Sequence, residues 1–266
     1  MTGTDPGFTS YFKTFFVMGR ALIIVSLVLF IIFPGCNTDE VVTIHLAGDS
    51  TVADKAYRHG NPEKGWGQVF PLYFEPGVFV QNHGVNGRST KSFIDEGRWS
   101  KLLESLNPGD YVFIQFGHND SKEGDSTRYA APFSNYRNNL IKMVDNVFEK
   151  GATPVLLTSI SRRSFNAEGM FYDTHGDYPA VVRSVAEEKE VLLFDLHKLS
   201  KRYIQTLGPE LSKKIFLHIN KIEYPDLTDH IIDDTHLSAI GAFRISDMVV
   251  AEIRSQIPEL AIKIKN

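Results

Sequence analysis

Gly48-Asp49-Ser50-Thr51 places a serine directly after an apolar run, Val41 to Ala47. The Ser50 hydroxyl there either faces a binding edge as a nucleophile or caps a helix. Asn82 to Ser89 contains Gly84 and Gly87. Glycine permits tight turns, and the N–H groups exposed in such turns can hold developing negative charge. A plain surface loop is the competing reading. Gly117-His118-Asn119-Asp120 follows the strongest apolar run of the chain. The Asn119 amide carries N–H donors of the kind an oxyanion hole uses, or is an ordinary turn residue. In Asp233-Asp234-Thr235-His236 a carboxylate precedes a histidine by one turn's reach. That spacing suits the base and orienting acid of a Ser-His-Asp triad. It also suits the acidic start of a helix, which fits Asp234 better than Asp233. Together the four segments hold the parts needed for acyl transfer.

Those segments need a scaffold that brings them together. Val41–Ala47, Val78–Val80, Tyr111–Phe116, Pro154–Thr158 and Val191–Phe194 read as short buried strands. Trp66–Phe74, Pro132–Glu149, Ala180–Glu188 and Ala239–Ile257 have helical spacing. Continuously apolar strands separated by helices predict a parallel sheet covered on both faces. The fold class is therefore α/β, a three-layer α/β/α sandwich of about five parallel strands. In such sheets ligands bind beyond the carboxyl ends of the strands, where three of the four segments fall. Gly208 to His230 is mixed in character and is open between a cleft wall and plain packing.

Of the 266 residues, 42% are apolar and 23% charged, which excludes a disordered or fibrous chain. The net charge of −4 leaves no basic excess for nucleic acid. One cysteine, Cys36, excludes an internal disulfide and a cysteine-based zinc site. Ala21–Phe33 is an uncharged apolar run of about 13 residues, short of the roughly 17–25 of a spanning helix. With Lys13 and Arg20 ahead of it and Gly35-Cys36 behind, the run resembles a bacterial lipoprotein signal. That resemblance implies residues 1–36 as signal, cleavage before Cys36, lipidation of its sulfur, and residues 37–40 as a tether. Residues 41–266 form the domain. The start is open between Met1 and Met18. The chain is expected to be exported and anchored to a membrane, at the periplasmic or cell surface.

Across Ile44 to the C-terminal helix the sequence resembles the SGNH (GDSL-type) hydrolases, and within them the rhamnogalacturonan acetylesterase branch. The resemblance rests on Gly48-Asp49-Ser50-Thr51, Gly65-Trp66-Gly67, Asn82 with Gly87-Arg88-Ser89, Glu96-Gly97-Arg98-Trp99, Gly109-Asp110-Tyr111-Val112, Gly117-His118-Asn119-Asp120 and Asp233-Asp234-Thr235-His236. It implies a flavodoxin-like fold with Ser50 as nucleophile, His236 as general base and acid, and Asp233 as its orienting partner. The Ser50 N–H, the Gly87 N–H and the Asn119 amide would form the oxyanion hole, Gly84 being the competing glycine. Asp234 stands where the family often has asparagine, which leaves a second carboxylate beside the histidine. No metal or organic cofactor is implied.

The implied reaction removes acetyl groups from a plant cell-wall polysaccharide, rhamnogalacturonan or pectin first. Acetylated xylan, another carbohydrate or lipid ester, and a non-catalytic glycan-binding lipoprotein are the alternatives. Arg88 and Arg98, with Lys91, Arg162 and Arg163, supply cations suited to galacturonate carboxylates or to a solvated surface. Trp66 and Trp99 are candidates for stacking on sugar rings or for packing. His118 and His45 read as structural. The acetylated polymer and, through Cys36, a membrane are the expected partners.

Overall fold

The computed structural model describes residues 41–57, 61–222, 224, 227 and 229–265. The expected signal, Cys36 and the 37–40 tether lie outside the described residues. No described helix is long and apolar enough to cross a membrane.

Strands β1 (Val42–Gly48), β2 (Val78–Asn82), β3 (Tyr111–Gln115), β4 (Thr153–Leu157) and β5 (Leu192–Phe194) form a five-stranded parallel sheet in the order β2-β1-β3-β4-β5. Helices α1 (Trp66–Val69), α2 (Thr90–Asp95), α3 (Arg98–Glu104), α4 (Arg137–Glu149), α5 (Tyr178–Glu188), α6 (Leu196–Leu211), α7 (Ala239–Gln256) and α8 (Pro258–Ala261) complete it. The period of two along each strand feeds two separate cores. Ile44, Leu46, Phe113, Val155 and Leu157 pack with residues of α1, α6, α7 and α8. Ala47, Val112, Ile114 and Leu156 pack with residues of α2, α3, α4 and α5. Both faces are covered, which is why the strands read as unbroken apolar runs. The strand order reverses between β1 and β3, the switch point at which a crevice opens beyond the strand ends.

Several elements differ from the sequence expectation. The segment Trp66–Phe74 is one helical turn followed by a 3-10 turn at Phe70–Tyr73, because Pro71 withholds a donor. The segment from Pro132 opens on a wide turn, Pro132–Tyr136, before α4. Helices α2, α3, α6 and α8 were not anticipated. Gly208, at φ 69, breaks α6 ahead of Pro209. The chain then enters an antiparallel hairpin of β6 (Phe216–Ile219) and β7 (Ile231–Leu237). Leu217 pairs with Asp233 but Phe216 pairs with Leu237, so Asp234, Thr235 and His236 bulge out of the ladder. Ser238 then caps α7 by accepting the Gly241 N–H at 3.1 Å.

The Gly-Trp-Gly motif is explained by packing. A Cβ on Gly65 would stand 2.2 Å from Ala53 O, and one on Gly67 2.6 Å from Val52 O. Trp66, 1% exposed, donates from Nε1 to Gln115 Oε1 at 2.7 Å. The motif thus seats α1 on the backbone that leaves the Ser50 turn. Gly65→Ala should lower stability by about 1–3 kcal/mol, the range for overpacking. Gly124→Ala, where a Cβ meets nothing within 4 Å, should be near neutral in the same denaturant titration.

Candidate active site

Ser50 sits in the turn beyond β1, held by its neighbour Asp49. Asp49 accepts from the Thr51 N–H and hydroxyl at 2.9 Å each, an Asx-type turn that fixes the chain around Ser50. His118 Nδ1 lies 3.2 Å from the other Asp49 oxygen, and its Nε2 lies 3.0 Å from Ile160 O. Burial pushes the Asp49 carboxyl up, but the His118 charge and hydrogen bonds from His118 and Thr51 outweigh it, leaving it below its ordinary value. The expected structural role of His118 is thereby given a physical form. It ties the serine turn to the loop carrying Asn119.

The bulge in β7 brings the remaining groups to Ser50. In a regular strand residues three apart face opposite sides. Here Asp233 Oδ1 accepts from the N–H groups of Thr235 at 2.7 Å and His236 at 2.9 Å, which curls the chain back on itself. His236 Nδ1 then lies 2.7 Å from Asp233 Oδ2, and its Nε2 lies 3.0 Å from Ser50 Oγ. Burial pushes the Asp233 carboxyl up, but hydrogen bonds from the His236 ring and the His236 and Thr235 N–H groups hold it well below the carboxylate range. The hydrogen bond to Asp233 raises His236 above its ordinary value against the opposing effect of burial. Asp234, the second carboxylate, turns away. It receives Arg163 Nη1 at 2.8 Å and His218 Nε2 at 2.7 Å. Asp233 is therefore the acid that orients His236.

The groups expected to hold an oxyanion lie in adjoining loops, joined by the Val85 N–H donating to Gly48 O at 3.0 Å. Gly87 takes φ +75, a conformation that disfavours any side chain. Neither its N–H nor that of Ser50 donates to another described residue. The competing Gly84 N–H is already used, donating to Asn82 Oδ1 at 3.0 Å. Asn119 spends one amide hydrogen on Arg88 O at 3.1 Å, which leaves the second available. The groups beyond β1, β2 and β3 thus meet on one sheet edge, as the fold rule requires.

The expected substrate-binding residues divide. Trp66 and Trp99, at 1% and 2% exposed, pack in the cores and cannot reach a sugar. Their indole N–H groups bond Gln115 and Asn146 instead, which corrects the stacking expectation. Arg98 pairs with Glu96 at 2.6 Å and lines a small recess with His83 and Lys101, separate from the cavity that Arg88 lines. Arg162 and Arg163 are braces: Arg162 donates to His118 O, and Arg163 to Asp234 and Pro209 O. Arg88 lines a cavity of about 670 Å³ that begins at Gly87 and includes Lys91 and Arg128.

Two residues escaped sequence reasoning. Arg128, clamped by Asp125 at 2.5 Å, reaches to 3.5 Å from Asn119 Oδ1 beside the cavity. Lys55, only 5% exposed, links Asn86 at 2.5 Å and Glu63 at 2.6 Å, joining the chain beyond Ser50 to the loop of Gly87. A turn signal was available for Arg128, since Asp125 accepts from Thr127 in an Asx turn. Nothing in the local spacing marks Lys55.

Comparison with known proteins places the chain in a family. The model of the GDSL-like lipase/acylhydrolase family matches residues 46–242. The chain is 40% identical over 225 residues to a rhamnogalacturonan acetylesterase of Bacillus subtilis (strain 168), covering 85% of this chain and 93% of that one. It is 32% identical to a probable rhamnogalacturonan acetylesterase of the same organism, covering 79% and 92%. The crystal structure of the Bacillus subtilis protein YxiM superposes with a TM-score of 0.68 at 28% identity, over 80% of this chain and 56% of that longer one. A family match spanning most of the domain, on a fold shared with a solved relative, gives one assignment: this chain belongs to the GDSL-like lipase/acylhydrolase family.

Proposed function

We propose that this protein is a serine esterase that removes acetyl groups from acetylated plant polysaccharide, with rhamnogalacturonan as the substrate. The observation that carries the proposal is the relay from Ser50 Oγ through His236 to Asp233, at 3.0 and 2.7 Å. The Ser50 and Gly87 backbone N–H groups donate to no other described residue. The names of the two Bacillus subtilis relatives support the acetyl group and the polymer.

In the proposed reaction Ser50 Oγ attacks the acetyl carbonyl carbon while His236 Nε2 takes the hydroxyl proton. Asp233 keeps the ring in the tautomer that presents Nε2 as acceptor and stabilises the imidazolium that forms. The negative oxygen of the tetrahedral intermediate is held by the Ser50 and Gly87 N–H groups and the Asn119 amide, each such donor typically worth about 2.7–4 kcal/mol. Collapse of the intermediate expels the sugar oxygen, which receives the proton from His236. Water, deprotonated by the same ring, then cleaves the acetyl-serine and releases acetate.

The cavity beside Gly87 supports an anionic polymer. Arg88, Lys91 and Arg128 line it, and charge-assisted bonds from arginine suit uronate carboxylates. Glu96 and Asp95 line it too; Glu96 pairs with Arg88 at 3.1 Å and Asp95 with Lys91 at 3.0 Å, which fixes those two cations in place. An exported, lipid-anchored enzyme fits a substrate too large to cross a membrane, a part of the proposal that rests on Ala21–Cys36 alone.

Ser50→Ala should abolish acetate release from acetylated rhamnogalacturonan while binding of the polymer persists. Retained turnover would reject the proposal. For the unaltered enzyme, kcat/KM should fall as pH drops through the raised pKa of His236, because only the neutral ring accepts the serine proton. Asp233→Asn should move that acid limb to lower pH and cut kcat by about 10³–10⁴-fold. Arg128→Gln should raise KM about tenfold or more on the uronate polymer and have a smaller effect on a neutral acetylated xylan, measured by acetate release. An equal effect on both would remove the carboxylate role of Arg128.

A further inference from the structure

A second cluster of ionisable side chains lies outside the relay, where the 158–177 loop meets the start of α6. Asp173 and His175 come from the loop, and His197 from the first turn of α6. One possible ligand atom from each lies within 4.8 Å of the other two. His197 Nε2 is 3.0 Å from Asp173 Oδ2, and His175 Nδ1 is 3.3 Å from Asp173 Oδ1. The imidazoles are 4% and 6% exposed, His175 and His197 respectively. Nε2 of His175 is buried with no hydrogen bond to any described residue, while His197 Nε2 has Asp173 as its partner. A buried polar atom left unpaired is costly, so the lone pair or N–H of His175 Nε2, beside a second imidazole and a carboxylate, calls for a ligand.

We propose that Asp173, His175 and His197 form a binding site for a divalent transition-metal cation, zinc being the best match, which pins the 158–177 loop to α6. The donor set decides the class. Two imidazoles and one carboxylate suit zinc and its neighbours, whereas magnesium and calcium take oxygen ligands. Burial holds both imidazoles below their ordinary value, so each has a lone pair to give, as metal binding needs. A cavity of about 510 Å³ lined by Asp173 and His197 gives access and room for water as a further ligand. Positive groups stand nearby. Arg183 is paired with Asp195 at 2.9 Å, and Arg162 donates to Thr174 O and His118 O. Lys201 reaches Asp173 Oδ2 at 3.3 Å from a half-exposed position, and a dication would displace its ammonium into solvent.

The consequence is mechanical and lies outside the acyl transfer, although it departs from the expectation that the chain binds no metal. The loop carries Arg162 and Arg163, which brace His118 and Asp234. The His175 ring also packs edge-on against His118 at 5.2 Å between centroids. A cation closing this loop would steady both halves of the active site without touching substrate.

Titration of the tag-free, metal-stripped full chain with Co²⁺, a spectroscopic stand-in for Zn²⁺, tests the site. The expected result is saturation of visible d–d bands at one equivalent, without the near-ultraviolet thiolate band that Cys36 would add. Zn²⁺ should displace the bands and raise the melting temperature. His197→Gln and Asp173→Asn should each weaken Co²⁺ binding at least tenfold while circular dichroism stays unchanged. Absence of saturable bands in the unaltered protein overturns the proposal, and so does equal binding by folded variants.

Discussion

The contact between His236 Nε2 and Ser50 Oγ, 3.0 Å long, joins residues 186 positions apart, and the rest of the architecture serves it. Ser50 is placed by the end of β1, a central strand whose position is fixed by two parallel neighbours. His236 has no such support, since it arrives on a two-stranded hairpin outside the main sheet. The hairpin is docked by backbone bonds: Arg163 N–H donates to Asp234 O at 2.9 Å, Lys64 N–H to Leu237 O at 3.0 Å, and Ser238 N–H to Ile215 O at 3.0 Å. Gly241 lets α7 press on the same segment, since a Cβ there would stand 2.0 Å from Ile215 O. The Ser50–His236 hydrogen bond, of ordinary length, is thus sustained by close backbone packing on both sides.

Two Asp–His pairs occupy the site, and burial separates their roles. Asp49 and His118 are nearly inaccessible, and the His118 ring is committed at both nitrogens. Such a ring holds loops together and has no atom left for substrate. Asp233 and His236 keep about a third of their side-chain surface exposed, and the free end of the His236 ring points at the serine. The Asp233 pair is therefore the one able to cycle a proton, because its imidazolium is solvated and paired at once. The same contrast explains the sequence motifs. Asp49 and His118 flank Ser50 and Asn119 because they position those neighbours.

The sheet was legible because its central strands β1, β3 and β4 are buried on both faces and so leave apolar runs in the sequence. The strand-end rule then located Ser50, the Gly87 loop and Asn119. The hairpin was not legible. Three extra residues in β7 destroy the period of two, so Ile231–Leu237 does not read as a strand. Helix α6 was hidden because its buried face includes His197 and Ser200 beside Leu196 and Ile204, which blurs the helical period. Helices α2 and α3 are short, and α2 buries Thr90 and Ser92. Trp66 and Trp99 were ambiguous by residue type, and only the cores that enclose them resolve it. The resemblance already named Asp233 as the partner of His236; what needed three dimensions was the reason Asp234 does not compete, which is that Arg163 and His218 draw it aside.

The central claim is that Ser50 carries the acetyl group between substrate and water. Rapid acid quench during turnover of an acetylated substrate, followed by peptide mass analysis, measures this directly. Acetylation confined to the peptide containing Ser50, and accumulating in a His236→Ala variant only with an activated aryl acetate, is the result the account requires. A quenched, turning-over enzyme with acetate released but no acetyl group on Ser50, or with the group on another residue, would contradict it.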